Sequence, residues 1–209
     1  METMMDKIDL KKELKNLYSP SGKEVAVVDV PKMNFLMVDG QGDPNTSKSY
    51  MEAIQALFSV SYTLKFMIKK EKGIDYAVMP LEGLWWVDDM SKFSMTNKDA
   101  WKWTAMIAQP EFVTKDMVAR AIEQAGKKKA LPALSKMRFE SVSEGLSAQI
   151  MHTGPYSAEA PTIEKIHAFI KDNGYKMAGK HHEIYLSDPS RTAPERLKTV
   201  IRQPIKRYR

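Results

Sequence analysis

An acidic residue in the middle of an apolar segment is the first candidate for chemistry in this sequence. Lys180 to Leu186 predicts a β-strand on which His181, Glu183 and Tyr185 share one face. A buried carboxylate is costly without a partner, so Glu183 either attracts a cationic ligand or holds water as a general base, with its pKa raised by aromatic surroundings. The alternative is an exposed strand face without a functional role.

The tryptophans form the second candidate. All four lie within 19 positions, at Trp85, Trp86, Trp101 and Trp103. Trp101 and Trp103 are two apart on a predicted strand and therefore share a face, whereas Trp85 and Trp86 point in opposite directions. Such a group is either a core aromatic cluster or the wall of a cleft that stacks on a flat or cationic ligand.

The third candidate is Gly154-Pro155-Tyr156, where a predicted strand turns into a helix. The segment is too short for a phosphate loop and has no P-loop lysine. We find no nucleophile elbow, zincin motif or dinucleotide fingerprint. The four histidines have no established zinc spacing and the chain has no cysteine, so we expect neither a metal nor a cofactor.

Composition excludes several classes of protein. The chain has 209 residues, of which 43% are hydrophobic and 28% charged, as in an ordinary globular domain. No apolar run is long enough for a membrane helix, and the first 17 residues do not resemble a signal peptide. These features predict a cytoplasmic protein without a membrane partner.

The formal net charge of +6 arises entirely from the last segment, Arg191 to Arg209, which holds seven basic residues and one acidic residue. A nucleic-acid footprint is one interpretation. We favour a solvated strand and terminus, because charge runs are usually solvent-facing. Any DNA binding would depend on Arg202, Lys206, Arg207 and Arg209, and we expect no sequence-specific nucleic-acid binding.

Apolar periodicity predicts three helices, at residues 47–72, 114–125 and 159–173. Predicted strands surround them, and the order strand–helix–strand–strand occurs twice. Met106-Ile-Ala-Gln-Pro110 and Val200-Ile-Arg-Gln-Pro204 end corresponding strands in the same way, which favours a duplicated module. The strands are predicted at residues 25–30, 34–39, 75–80, 84–87, 101–109, 147–153, 180–186 and 197–203.

Three motifs accompany the duplicated order: Pro80-Leu-Glu-Gly-Leu-Trp-Trp86, Gly154-Pro155-Tyr156 and Glu183-Ile-Tyr-Leu-Ser-Asp188. Together these features resemble the GyrI-like small-molecule-binding proteins. This family belongs with the effector-binding domains of multidrug-responsive regulators and the SOUL haem-binding proteins. The resemblance implies an α+β fold of two pseudo-symmetric strand–helix–strand–strand modules, with antiparallel sheets and a central ligand cleft. The expected units are an N-terminal extension (1–24) and a domain over 25–205, made of module one (25–110), a connecting helix (114–126) and module two (147–205).

The resemblance also implies site residues. Glu183 matches the position of the family's pocket glutamate, and Trp86, Trp103 and Tyr156 match its aromatic walls. The stand-alone branch includes cyclopropanoid cyclopropyl hydrolases, which open the strained ring of DNA alkylators of the yatakemycin type with water. About 24 residues precede the first predicted strand, too few for a regulator's helix-turn-helix domain, and no histidine is marked as a haem ligand.

Two hypotheses of different classes follow. In the first, the cleft binds a bulky, flat, partly hydrophobic compound, aromatic or cationic. In its catalytic version Glu183 activates water, and Tyr156 or Tyr185 hydrogen-bonds the oxygen that gains charge. In the second, the chain is a protein-interaction module, such as a topoisomerase inhibitor without catalytic activity. The sequence does not specify the oligomeric state or the physiological ligand.

Overall fold

The fold consists of one antiparallel β-sheet, which closes into a barrel, and of helices that pack against it. The computed structural model describes residues 7–90 and 98–208. The strand order is β4-β1-β3-β2-β6-β7-β5, and a further pairing of β4 with β7 closes six strands on themselves. The strands are β1 (Ala26–Gln41), β2 (Leu81–Trp86), β3 (Lys102–Gln109), β4 (Arg138–Thr153), β5 (Tyr175–Met177), β6 (His181–Tyr185) and β7 (Lys198–Arg207).

Five α-helices are described, and the three long ones confirm the helices predicted from periodicity. The Ser47 side chain accepts a hydrogen bond from the Tyr50 amide at the start of the first long helix, which ends at Gly73 with φ of 70°. Thr114 caps the next helix in the same way through the Met117 amide. The helices are α1 (Leu10–Glu13), α2 (Lys15–Tyr18), α3 (Lys48–Lys72), α4 (Lys115–Lys128) and α5 (Ala160–Asp172). None of these helices is long and apolar enough to cross a membrane.

The two halves of the barrel have the same internal order. In the first half β1 pairs with β3 and β3 with β2; in the second half β4 pairs with β7 and β7 with β6. The halves join through β1–β4 and β2–β6. The α+β fold with a duplicated module is therefore confirmed, and the sheets of the two modules form one continuous barrel.

Long-range pairing extends two strands beyond their sequence signals. β1 runs straight through Pro31, where the sequence predicts a break. Proline is tolerated there because β1 pairs with β3 only from Asn34 onward. β4 begins at Arg138 rather than Ser147, since its polar first half pairs with β1. The short β5 was not predicted.

Four charged side chains lie inside the barrel, on the sheet face opposite α3 and α5. His182 Nε2 lies 2.9 Å from Glu82 Oε2, and His182 Nδ1 lies 2.9 Å from Glu144 Oε1. Arg202 Nη1 donates to Glu144 Oε2 at 3.2 Å. We call these four residues the barrel cluster. Because it combines two carboxylates with a guanidinium and a protonated imidazole, the barrel cluster is neutral.

Proton affinities of the barrel cluster follow from these ion pairs. Burial disfavours a charged His182, but Glu144 and Glu82 outweigh it and raise the pKa of His182 to about 9. Burial likewise opposes ionisation of Glu144, but His182 and Arg202 lower its pKa to about 2. Both groups are therefore charged at neutral pH.

The barrel cluster also holds the N-terminal segment in place. Arg202 Nη2 donates to the Leu17 carbonyl at 2.9 Å, and Arg202 Nε donates to Gln149 Oε1 at 2.9 Å. Gln149 in turn donates to the Asn16 carbonyl at 2.7 Å, and the Tyr18 hydroxyl donates to Glu82 at 2.9 Å. The segment at α2 is therefore part of the folded core.

Arg202 corrects the interpretation of the basic segment as solvated. Its side chain is 2% exposed and ion-paired, so it is unavailable to a nucleic acid. Five other basic residues of the segment are exposed, and Arg209 lies outside the described residues, as do residues 1–6 of the predicted N-terminal extension. The exposed five are Arg191, Arg196, Lys198, Lys206 and Arg207.

Removing one charge from the barrel cluster should destabilise the protein strongly. Arg202→Met leaves Glu144 with one cationic partner and breaks the link to α2, so we expect a loss of about 3–5 kcal/mol in the free energy of unfolding. Lys206→Met, a comparable change at an exposed position of the same strand, serves as the control. Urea denaturation of both variants measures the difference; equal stabilities would contradict a structural role for the cluster.

Candidate functional site

A cavity of about 720 Å³ opens on the outer face of the sheet, where the two modules meet at β2 and β6. Its walls come from α3, from the segment 78–81 before and at the start of β2, and from the segment that follows β6. Further side chains reach it from the turn before α5 and from the segment before β3. The lining includes Tyr50, Ile54, Phe58, Leu81, Trp85, Lys98, Trp101, Tyr156, Glu159, Glu183, Tyr185 and Asp188.

The aromatic wall is built around Trp85. Its ring centroid lies 5.5 Å from that of Trp101 and 5.6 Å from that of Tyr50, at tilted angles. Trp85 Nε1 donates a hydrogen bond to the Tyr185 hydroxyl at 3.1 Å, which satisfies the buried indole N–H. This wall can stack on a flat ligand, and its ring faces attract a cation.

Glycine makes room for this indole. A Cβ atom at Gly83 would lie 2.8 Å from Trp85 Nε1, closer than van der Waals contact permits. Gly83 pairs directly with Glu183 across the sheet. Because Gly83 has no side chain, the Trp85 indole can lie over it and so beside the Glu183 carboxylate on the neighbouring strand.

Both oxygens of Glu183 accept hydrogen bonds. His181 Nε2 lies 3.0 Å from Oε1, and the Tyr185 hydroxyl donates to Oε2 at 2.7 Å. Burial opposes ionisation, but these two contacts outweigh it and hold the pKa of Glu183 below its usual value. The expected increase in its pKa is therefore wrong: Glu183 is ionised, with lone pairs left for water or a cation.

The two candidate tyrosines differ in what their hydroxyls do. Their rings meet edge to face with centroids 5.5 Å apart. The Tyr185 hydroxyl is engaged with Glu183 and Trp85. Tyr156 is 38% exposed at the rim of the cavity, and its hydroxyl has no hydrogen bond to the part of the chain that the structure describes. Tyr156 is therefore the tyrosine whose hydroxyl is available to a ligand.

Two of the five predicted site residues lie away from the cavity. Trp103 is 1% exposed and packs edge to face against Tyr50 at 4.9 Å, behind the wall. Trp86 points to the other side of β2, and the Lys180 ammonium lies 3.2 Å from its ring centroid. The structure brings Glu183, Tyr156 and Tyr185 together and puts Trp85 and Trp101 where the resemblance implied Trp86 and Trp103.

A second carboxylate, Glu159, was not predicted. It is 1% exposed and lines the cavity, and its Oε1 is buried without a hydrogen-bond partner among the described residues. Burial and the neighbouring Glu183 raise its pKa to about 9. An acidic residue at the start of a helix is the ordinary pattern favoured by the helix dipole. The sequence therefore contains no signal that distinguishes Glu159 from a surface residue.

Within residues 7–90 and 98–208, no three histidine or acidic side chains are grouped so that they could hold a metal ion. The groups that line the cavity include aromatic rings, hydroxyls, carboxyls and the Lys98 ammonium. One carboxyl is ionised and the other protonated at neutral pH.

Comparison with known proteins identifies the family. The model of the GyrI-like small molecule binding domain matches residues 23–206. The chain belongs to this family. A search of curated proteins found no match.

Solved structures agree with this GyrI-like assignment. An uncharacterized conserved protein from Listeria innocua is 42% identical with a TM-score of 0.89, and a hydrolase from the same organism is 40% identical with a TM-score of 0.86. Each match covers 96% of this chain and 100% of the other. The C-terminal domain of EcmrR shares the fold at 11% identity, with a TM-score of 0.56, over 88% of this chain and 98% of that domain.

Removing the Tyr185 hydroxyl should raise the pKa of Glu183. Tyr185→Phe keeps the ring but takes away the donor at 2.7 Å, so the carboxylate loses stabilisation of its charged form and protonates at higher pH. The matched control is Tyr156→Phe, which removes a hydroxyl from the neighbouring ring. A carboxyl-carbon NMR titration measures both; an unchanged Glu183 pKa in Tyr185→Phe would contradict the assigned hydrogen bond.

Proposed function

We propose that this GyrI-like domain binds bulky, flat, partly hydrophobic small molecules in the cavity, and that it hydrolyses those carrying a strained, electrophilic ring. One observation carries the proposal: an ionised carboxylate, Glu183, lies against the aromatic wall of an open cavity of about 720 Å³. Aromatic faces and a carboxylate together suit flat compounds and organic cations.

The wall in this proposal consists of Trp85, Trp101 and Tyr50. Trp103 supports Tyr50 from behind through the contact at 4.9 Å, so it acts on the ligand indirectly. Trp86 lies on the other side of β2 and takes no part. The two hydrogen bonds of Glu183 hold its carboxylate in one orientation, which favours a fixed position for whatever binds to it.

Hydrolysis of a cyclopropane conjugated to a dienone requires two groups. Water attacks the ring methylene while Glu183 accepts its proton, and the ring carbon–carbon bond breaks with its electron pair passing to the dienone oxygen. That oxygen becomes a phenolate and takes up a proton from solvent while Glu183 returns its proton to solvent, so that one water is added across the bond and the carboxylate is restored. Tyr156, whose hydroxyl is free of protein partners in the described chain, donates a hydrogen bond to it.

Similarity to a Listeria protein described as a hydrolase, at 40% identity over 96% of this chain, supports the catalytic version. Removal of DNA-alkylating compounds in the cytoplasm is the biological role we propose. The alternative is a protein-interaction module such as a topoisomerase inhibitor. An open cavity with a buried carboxylate favours a small molecule, because a protein partner would instead need a broad exposed apolar or acidic patch.

Substituting Glu183 tests the catalytic version. Glu183→Gln keeps the shape but cannot accept a proton, so we expect turnover to fall by about 10²–10⁴-fold while neutral substrates still bind. The measurement is mass spectrometry of the water adduct after incubation with a cyclopropane-bearing alkylator.

Glu164→Gln, at an exposed position of α5, is the control for that experiment. Wild-type protein that forms no adduct would refute hydrolysis of this class. A Glu183→Gln variant that turns over normally would refute the role of Glu183.

The composition of the wall is tested separately. Trp101→Ala should weaken binding of a flat aromatic compound by about 1–3 kcal/mol if a stacking contact is lost. Trp86→Ala, on the other side of the sheet, should leave the affinity unchanged. Isothermal titration calorimetry compares the two variants, and equal losses in both would contradict the proposed wall.

A further inference from the structure

The cavity contains one polar group whose role the proposed hydrolysis does not explain. Glu159 lines the cavity, is 1% exposed, and its Oε1 is buried without a partner among the described residues. It is the residue before α5, a position where a side chain usually caps the helix, yet Glu159 makes no capping hydrogen bond. Its side chain is therefore buried at the cavity with one carboxyl oxygen, Oε1, left without a hydrogen bond from the described residues.

Charged and polar groups surround Glu159 from several elements. Glu183 on β6 acts electrostatically to keep it protonated, together with burial. The Thr199 side chain on β7 and the Lys98 ammonium before β3 act in the opposite direction. Two further titratable groups, Tyr156 and Tyr185, interact with Glu159 electrostatically, and Asp188, Lys11 and Tyr50 also line the cavity.

These electrostatic and hydrogen-bond interactions give Glu159 and Glu183 different protonation states. Burial and the charge of Glu183 raise the pKa of Glu159 to about 9, whereas hydrogen bonds from His181 and Tyr185 keep Glu183 ionised. At neutral pH the cavity thus presents one carboxylate, which accepts hydrogen bonds, and one carboxylic acid, which can donate one.

We propose that Glu159 is a second recognition group of the cavity, which donates a hydrogen bond to neutral ligands that carry an acceptor atom and releases its proton when an organic cation binds. The inference rests on the proposed function only in that the cavity binds small molecules; it does not require turnover.

Ligand binding and the protonation of Glu159 are coupled, and the direction of the coupling follows from the charge of the ligand. A cation near both carboxyl groups favours the charged form of Glu159, so its binding releases a proton and its affinity rises with pH until Glu159 is deprotonated in the free protein. With one proton released, the affinity rises at most about tenfold per pH unit. A neutral acceptor needs the proton, so its affinity falls as the pH passes about 9.

Two probe molecules of nearly the same shape separate the pH dependence of cation binding from that of binding a neutral acceptor. Methyltriphenylphosphonium is a permanent cation without an acceptor, and triphenylphosphine oxide is neutral with a strong acceptor oxygen; neither titrates over the pH range of the experiment. Calorimetry from pH 6 to pH 10, in pairs of buffers with different ionisation enthalpies, measures the affinity and counts the protons released.

For wild-type protein we expect the phosphonium affinity to rise with pH, with close to one proton released near neutral pH. The phosphine oxide should bind without proton release, and more weakly above about pH 9. Glu159→Gln keeps a hydrogen-bond donor, so it should bind the phosphine oxide at all these pH values and lose both the proton release and the pH dependence of cation binding. Glu164→Gln should behave as wild type.

The outcomes separate this inference from the proposed function. Phosphonium binding by wild-type protein without proton release would overturn the role of Glu159 while leaving small-molecule binding intact. The same conclusion would follow if Glu159→Gln kept the wild-type pH dependence. Failure of wild-type protein to bind either probe would overturn the proposed cavity function, and the recognition role of Glu159 with it. Because proton release is counted in wild-type protein, the test stands even if the variant does not fold.

Discussion

The neutral barrel cluster of Glu82, Glu144, His182 and Arg202 is the interaction on which the rest of the structure depends. Each residue comes from a different strand, β2, β4, β6 and β7, so the cluster forms only when the barrel is closed in the correct register. A slip of one residue on β6 would exchange His182 for Glu183 and leave three carboxylates facing Arg202 alone. Buried charges without partners are costly enough to disfavour that alternative.

The same register places the functional groups. Side chains alternate across a strand, so fixing His182 inside the barrel turns His181, Glu183 and Tyr185 toward the cavity. On β2, Glu82 inside likewise requires Gly83 and Trp85 outside. The charged interior and the aromatic cavity are thus two faces of the same two strands, and the interior contacts determine the position of the site.

Hydrogen bonding, rather than burial, distinguishes the two carboxyl groups of the cavity. Glu183 and Glu159 are both buried, at 7% and 1% exposure. Glu183 accepts from His181 and Tyr185, whereas one oxygen of Glu159 has no hydrogen-bond partner in the described part of the chain and Glu159 has a neighbour of the same charge, Glu183. Opposite protonation states follow from this difference, and they give the cavity both a proton acceptor and a proton donor.

Local patterns in the sequence determined the long helices and the duplicated strand–helix–strand–strand order, because apolar periodicity and turn residues act over a few positions. Strand alternation placed Glu183 and Tyr185 on one face, and the family resemblance marked Glu183 and Tyr156 as site candidates. Tertiary structure alone decided which tryptophans line the cavity, since adjacent indoles are equivalent until Gly83 and the pairing of β2 with β6 leave space for one of them. It also moved Arg202 from an apparent basic tail into the barrel, because its partner Glu144 lies 58 positions away. The protonation state of Glu159 was also decided by the tertiary structure, because a proton affinity is determined by the groups that fold around a side chain. Those groups come from β6, from β7 and from the segment before β3.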